Sequence, residues 1–558
     1  MKNRDCRLLI GAMLACLVSI YVYPLLLPTP LLDPDEGLHA SISQEMAESG
    51  DFVVPRIQGE PFRDKPILYF AAQALSLQTF GMNEAAVRLP GLLFALLGVA
   101  TTALLAVRMF DRSTGLLTAL VSLTFVVPFA LAQAAAHDVA LVPWTNLLLL
   151  CWWEADRCDS LRKRLLLTLA AALFVTLALL TKGLIGVAVV SVGYVGFVLL
   201  SKQIAWPLLA RFATCLLLGS ALASPWFLAM EQAAPGYLWY YFIERHFSGF
   251  VSKTQQHGGA PWYYYLPVLL GGTMPWILYL GPGLWQTWLD RRQGQHKKEA
   301  LAVLFALCWL VGGLLFLSAA GSKLITYALP IFPAIAILAG HALKRFLQHE
   351  LSATIDVAFS RIFQFACAVG CIAPVAVLLA TDHFVQARSP APAYLLVLLA
   401  SATVLAAIFL ARQNRRQAAV ALGSLWFALI FISMMTWPLQ RVAAQYSQRT
   451  LGTQLAKQAE LPQKIVLVGA RVASVVFYLT PEQRQSLQPG QIVAVAQSDL
   501  DHWHAIPADT LVAITEQAFA NLRNQTVKQL AENNISEGNF RLVRQPQPIA
   551  ARNGNQIW

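Results

Sequence analysis

Between Leu8 and Pro438 the chain returns repeatedly to apolar runs long enough to cross about 30 Å of hydrocarbon as a helix. No other feature narrows the fold so far. In lipid only helices and closed barrels satisfy their own backbone polar groups, and barrel strands would alternate in polarity where these runs do not. The composition agrees: 57% of residues are hydrophobic, only 13% are charged, and the mean hydropathy is +0.55. The runs fall near residues 8–27, 88–107, 114–132, 139–153, 165–181, 184–200, 208–228, 264–286, 300–318, 325–343, 361–380, 392–411 and 418–437, about thirteen spans. The first reads as a retained anchor, because no small-residue cleavage site precedes Asp33 and a second span follows.

Basic residues orient these spans. Lys2/Arg4/Arg7, Arg157/Arg162/Lys163/Arg164, Arg291/Arg292/Lys297/Lys298, Lys344/Arg345 and Arg412/Arg415/Arg416 fall on alternate loops. The positive-inside rule makes those loops cytoplasmic, so the opposite loops and everything after about Trp437 lie outside. In a bacterium this is an inner-membrane, multi-pass protein with its outer loops in the periplasm. The net charge of +11 then belongs largely to loops meeting anionic headgroups, and no nucleic-acid partner is expected. All eight cysteines lie in spans or cytoplasmic loops without metal-site spacing, and read as small apolar groups.

Two domains follow: a membrane domain over 1–437 with long periplasmic loops at 28–88 and 230–263, and a soluble periplasmic α/β domain over 438–558. In the first loop, SISQEMAESG predicts a helix on the membrane surface, with Ser41 as N-cap and Gly50 as stop, while the stretch 67–81 reads as interfacial or re-entrant. The second loop is rich in aromatics that suit the headgroup level. Past Pro438, KIVLVG, QIVAVAQ and TLVAITE read as short buried strands, with ASVVFYL and AFANLRNQTVKQLAEN as helices between and after them.

Ionisable groups at the ends of spans are expensive to desolvate and so are candidates for function. Those that stand out crowd the outer side. In LLDPDEGLHA the three carboxylates Asp33, Asp35 and Glu36 repel one another, and Pro34 is expected to keep Asp33 in an extended turn. Such a cluster serves as a general base, a divalent-ion site or a counter-charge for a cationic substrate. Asp138 returns to the same side. Opposing them are Lys65 in FRDKP, Arg245 and His246 in ERH, Lys253, and Lys323 with Tyr327 in GSKLITYALP, which suit a lipid phosphate. Arg88 and Lys182 read equally well as side chains snorkelling to headgroups, and His137 as a helix cap.

The stretch from Leu31 to Phe70 resembles the first periplasmic loop of GT-C fold membrane glycosyltransferases, in the branch of the aminoarabinose lipid A transferases, which are related to protein O-mannosyltransferases. NEAAVRLPGLLF, AAAHDVAL, LLTKGLIG, SPWFLAM, PWYYYLPVLLGGTMPW and GSKLITYALPIFP carry the likeness further, over roughly residues 8–345. The resemblance implies transfer of 4-amino-4-deoxy-L-arabinose from undecaprenyl phosphate to a lipid A phosphate on the periplasmic face, giving resistance to polymyxin and cationic peptides. By position it implies that Asp35 and Asp138 are the acidic active-site residues, which Glu36 of the same carboxylate cluster would join. It puts Lys65, Lys323 and Tyr327 on the donor-phosphate side, which Arg245 and Lys253 would join.

This chemistry requires no cofactor, although a divalent metal at Asp35, Asp64, Asp138 or His246 is left open by the spacing. The expected partners are the lipid-linked donor, lipid A and the membrane, with the chain acting as a monomer. Two rival readings stay open: the same donor logic with a protein serine or threonine or another glycan as acceptor, and a lipid-phosphate transporter. The last predicts charges at mid-depth rather than at one face.

Overall fold

A computed structural model describes residues 4–251, 259–385, 389–413, 415–472, 474–496, 498, 509–521, 536–537 and 540–544. The chain divides into two compact units. One comprises Met1–Leu27, Arg63–Ala72 and Arg88–Pro438; the other comprises Pro28–Phe62, Gln73–Val87 and Leu439–Trp558.

The first unit is a helical bundle. Among the described residues eight helices are long and apolar enough to cross a membrane, and a bent pair makes nine. This is fewer than the thirteen runs in the sequence because several runs are helical but short or broken. Arg112–Leu123 and Val126–Ala132 meet at 68°, where the ring of Pro128 would collide with the carbonyl of Thr124 in a continuous helix. The run near 264–286 is divided into Tyr265–Thr273, Trp276–Tyr279 and Leu280–Arg292 around Pro275, which forces Met274 into an extended conformation. Two other runs open as 3-10 turns, His137–Ala140 before Leu141–Ala155 and Ile325–Ile331 before Phe332–Leu347. Helix Phe332–Leu347 is buried along almost its whole length. Inside the bundle Asn146 donates to the Gly98 carbonyl and to the Thr101 and Thr102 hydroxyls at 2.9–3.2 Å, tying Leu141–Ala155 to Glu84–Met109.

The second unit contains a five-stranded sheet and much of the first long loop. The loop carries a small hairpin, β1 (Arg56–Ile57) with β2 (Glu60–Pro61). In the sheet, β3 (Lys464–Val468) lies between β4 (Ile492–Val495) and β5 (Thr510–Thr515), parallel to both. Beyond β5 come β7 (Phe540–Arg544), antiparallel to β5, and β6 (Ser536–Glu537), antiparallel to β7; both were unforeseen from the sequence. The strand runs are continuously apolar because β3 and β5 are covered on both faces. Of the helices foreseen here, Ser474–Phe477 is present, and most of the second falls outside the described residues.

The first-loop helix spans Asp35–Ser49, seven residues earlier than the Ser41 cap suggested, and ends at Gly50 in the left-handed region (φ 72°). Asp35 and Glu36 therefore open a helix instead of standing in an extended turn, which suits the positive end of its dipole. Most of the helix is buried, so it is a core element of its unit rather than a surface raft. Its clamp is Asp33. Oδ1 accepts from the Ser474 N–H at 2.9 Å, and Oδ2 accepts from the Gln448 N–H at 2.9 Å and the Ser474 hydroxyl at 2.5 Å. A Cβ on Gly37 would meet Asp33 Oδ1 at 2.0 Å, so only glycine fits beside this junction. Gln44 donates to the Phe477 carbonyl at 3.2 Å, and the Tyr478 hydroxyl accepts from the Leu31 N–H at 3.0 Å.

Burial pushes the Asp33 carboxyl up to about 6 against the pull of its three donors. A raised folded-state value means the native form holds its proton more tightly than the unfolded chain, so stability is lost as pH rises from about 4 through 6. Full-length protein in detergent should therefore lose up to about 3 kcal/mol over that window from this group alone. The pH-dependent difference in melting temperature between wild type and Asp33→Asn checks it, and parallel pH profiles for the two would refute it.

Candidate active site

Helix Leu161–Lys182 ends at Gly183, which takes φ +71° and starts Leu184–Leu200. Lys182 is thus a cation at a helix carboxyl end, where the dipole favours it. Its ammonium is ion-paired with Asp138, held in the 3-10 turn His137–Ala140, and both side chains are nearly buried, at 12% and 9% exposure. The same ammonium lies 4.3 Å from the ring centroid of Tyr327 in the turn Ile325–Ile331. Three separate breaks in the helical pattern thus bring an acid, a base and a phenol together. Neighbouring His137 is buried between the rings of Tyr69 and Phe70, each at 4.4 Å.

The aromatic loop closes around this pair as a ten-residue π-helix, Trp239–Ser248. A Cβ on Gly183 would come within 2.5 Å of the Tyr241 hydroxyl and 2.7 Å of His246 Nε2, so the missing side chain is what lets the π-helix approach. His246 Nδ1 donates to the Tyr241 carbonyl at 2.6 Å. Burial holds its ring below the usual histidine range, opposed by hydrogen bonds to the Tyr241 and Lys182 backbone and reinforced by the Arg245 and Lys182 charges. One position earlier on the same helix, Arg245 Nη2 lies 3.8 Å from Asp64, which also accepts from the Tyr240 hydroxyl. Burial, with Asp64 adding to it, pushes that phenol up to about 12, so it remains a donor at neutral pH.

Lys65 is half-buried next to Asp64 in the chain. Lys323 is buried and donates to the Ala320 carbonyl, just past helix Lys297–Ala319, while the Gly321 N–H donates to Phe250 at 2.7 Å. A small apolar groove is lined by Tyr21, Gly98, Phe125, Val139, Leu329 and Phe332. Val139 directly follows Asp138, and Leu329 is two residues past Tyr327.

The acids foreseen in the first loop belong to the second unit. Asp35 is exposed, whereas Glu36 is buried and accepts from the Leu32 N–H at 2.7 Å, closing its own turn. Lys253 lies outside the described residues. Among the described residues no group of three or more His, Cys, Asp or Glu side chains converges as metal ligands. Asp64 is instead engaged by Tyr240 and Arg245, and His246 by a carbonyl. Sequence reasoning left Lys182 evenly balanced between a functional group and a headgroup contact; the Lys-Gly pair ending an apolar run was the available signal. Tyr240 and Tyr241 were hidden in an aromatic run with an obvious interfacial explanation.

The bundle, its groove and the charges at its rim define a polytopic membrane protein with the GT-C fold. The overall structure matches ArnT from Cupriavidus metallidurans bound to undecaprenyl phosphate with a TM-score of 0.73, covering 96% of this chain and 97% of that one at 22% identity. Residues 64–228 match the dolichyl-phosphate-mannose-protein mannosyltransferase family. The undecaprenyl phosphate-alpha-4-amino-4-deoxy-L-arabinose arabinosyl transferases of Aeromonas salmonicida and Erwinia tasmaniensis are each 33% identical, over 55% and 58% of this chain and 55% and 57% of theirs. The chain spans about half the length of the curated relatives it matches. Its sequence is similar to these aminoarabinosyl transferases and, over residues 64–228, to the protein mannosyltransferases.

Removing one member of a buried ion pair leaves the other uncompensated, whereas replacing both is often neutral. Asp138→Asn and Lys182→Met should each destabilise the detergent-solubilised protein by about 3 kcal/mol, and the double variant should regain most of that loss. Additive losses in a thermal double-mutant cycle would show that the two side chains do not depend on each other.

Proposed function

We propose that this chain is a glycosyltransferase of the bacterial inner membrane that moves 4-amino-4-deoxy-L-arabinose from undecaprenyl phosphate to a lipid A phosphate on the periplasmic face, acting as a monomer. The observation that carries the reading is the buried Asp138–Lys182 pair, with Tyr327 over the ammonium and an apolar groove walled by the residues next in chain. A polyprenyl chain suits such a groove, and the names of the relatives supply the donor and the sugar.

In the proposed reaction an acceptor phosphate oxygen attacks the anomeric carbon, and the bond from that carbon to the polyprenyl phosphate oxygen breaks. Charge gathers on the leaving phosphate. Lys182 supplies a cation for it, with Lys65, Lys323 and Arg245 as further positive groups and Tyr327 as a phenol donor. The sugar passes through an oxocarbenium-like state, and the carboxylates of Asp35 and Asp138 suit its positive charge and the ammonium of the aminoarabinose. A lipid A phosphate carries no proton to remove, so Asp35 acts here by charge and recognition rather than as a base.

The match of residues 64–228 to protein mannosyltransferases favours one alternative, a hydroxyl acceptor, for which Asp35 would be the general base. Expression in a bacterium lacking its own aminoarabinose transferase, followed by mass spectrometry of lipid A, separates the two. The expected result is an added aminoarabinose mass that Asp35→Ala, Lys65→Ala and Lys182→Met each reduce at least tenfold, with Asp35→Asn keeping more activity than Asp35→Ala. Unmodified lipid A from folded protein, together with newly glycosylated periplasmic protein, would establish the hydroxyl acceptor instead.

A further inference from the structure

The hairpin that joins helix Ala391–Arg412 to helix Arg416–Thr436 belongs to the arginine-rich loops that the charge rule places in the cytoplasm. Beside it lies an open-sided groove with one apolar and one polar wall. Its apolar wall is Phe346, Phe363, Ala411, Ala419 and Val420; its polar wall is Ser360, Gln364, Arg412 and Arg416.

The two arginines differ in how they are held. Arg416 is fixed: it donates both Nη atoms to Asp356 at 2.5 and 2.6 Å, reaches the Phe346 carbonyl at 2.7 Å, and lies 4.2 Å from the Phe346 ring centroid. Its charge is answered. Arg412 is exposed, and among the described residues no carboxylate stands within ion-pair distance of it. Arg415, three residues on, and Arg361, three residues before Gln364 on the same helix, are exposed cations as well. Two other basic residues near a helix end are held by carboxylates, Lys344 by Asp111 and Arg345 by Asp290. Large apolar side chains on the same helices, Phe365 and Phe409, are more than half exposed, which places the groove against lipid rather than against protein.

We propose that this groove is a binding site for the phosphate headgroup of an anionic phospholipid. Arg412 provides the charged contact, Arg416 forms a preset wall, Gln364 and Ser360 face the glycerol region, and the acyl chains leave along Phe363 and Val420. A fork-shaped guanidinium suits a phosphodiester, and anionic headgroups sit at this depth of the bilayer. The proposal does not depend on the transfer reaction, and none of its residues belongs to the candidate active site.

The test uses full-length protein in a neutral detergent, titrated separately with a phosphatidylglycerol, a phosphatidylcholine of the same chains and inorganic phosphate, and read by native mass spectrometry and melting temperature. Wild type should retain a phosphatidylglycerol that Arg412→Gln binds about fivefold more weakly, and Gln364→Trp, which fills the groove, should do the same. Because Arg412 is exposed and has no carboxylate partner among the described residues, the lipid-free melting temperature of Arg412→Gln should equal wild type, which separates lost binding from lost folding. Equal phosphatidylglycerol binding in all three proteins, or equal binding of phosphatidylcholine, would overturn the site. Displacement of the lipid by equimolar inorganic phosphate would reassign it to a free anion and overturn the lipid.

Discussion

The Asp138–Lys182 pair is the constraint to which the arrangement around it answers. A lone ammonium at the end of an apolar helix would need either water or a headgroup, and a lone carboxylate in the adjacent turn would be driven to protonate. Together they are close to neutral and stay in place beside an apolar groove. The cost of that burial explains the local structure. Gly183 ends the helix so that Lys182 is its last residue, the 3-10 turn at His137–Ala140 delivers Asp138, and the turn at Ile325–Ile331 brings the Tyr327 ring to the ammonium. The π-helix then packs on the side-chain-free surface of Gly183, with the His246 ring held below the usual histidine range by burial.

The second unit shows a different use of acidic residues. Of the three carboxylates in DPDE, Asp33 is spent on Ser474 and Gln448 and Glu36 on the Leu32 backbone. Only Asp35 remains exposed, at the first residue of its helix. The cluster that looked like one chemical device is therefore two structural contacts and one available acid. The carboxyl-terminal sheet accounts for this division, because the first loop folds with it: Ser474 and Gln448 come from segments beside β3, more than four hundred residues away in sequence.

Much of this fold was legible. Runs of apolar residues marked the membrane-length helices, because lipid allows few other solutions, and the strands β3, β4 and β5 stood out as short continuous apolar stretches. What escaped has physical reasons. Breaks at Pro128 and Pro275 do not alter hydropathy, so a broken run looks like a crossing helix. The strands β6 and β7 carry charged residues, as in Phe540–Arg544, and so lack the buried-strand signature. The start of the first-loop helix was set at Ser41 by its capping preference, whereas acidic residues at 35 and 36 and a distant clamp on Asp33 decided it. Asp138 was recognisable as a costly charge; its partner Lys182 stood evenly between that reading and an ordinary contact with lipid headgroups, and only tertiary structure chooses between them.

The proximity of Asp138 to Lys182 also bears on how a phosphate would be handled in the proposed reaction. An ammonium with no counter-ion would bind the lipid-linked donor and the released polyprenyl phosphate alike, and the more highly charged product would be held the tighter of the two. With Asp138 already on the ammonium, a phosphate must compete with a carboxylate for it, and the net gain is small for a diester and larger as charge builds on the breaking bond. Stabilisation that grows toward the transition state raises the rate, whereas uniform binding does not. The acid therefore limits ground-state affinity without removing the cation from the place where charge develops.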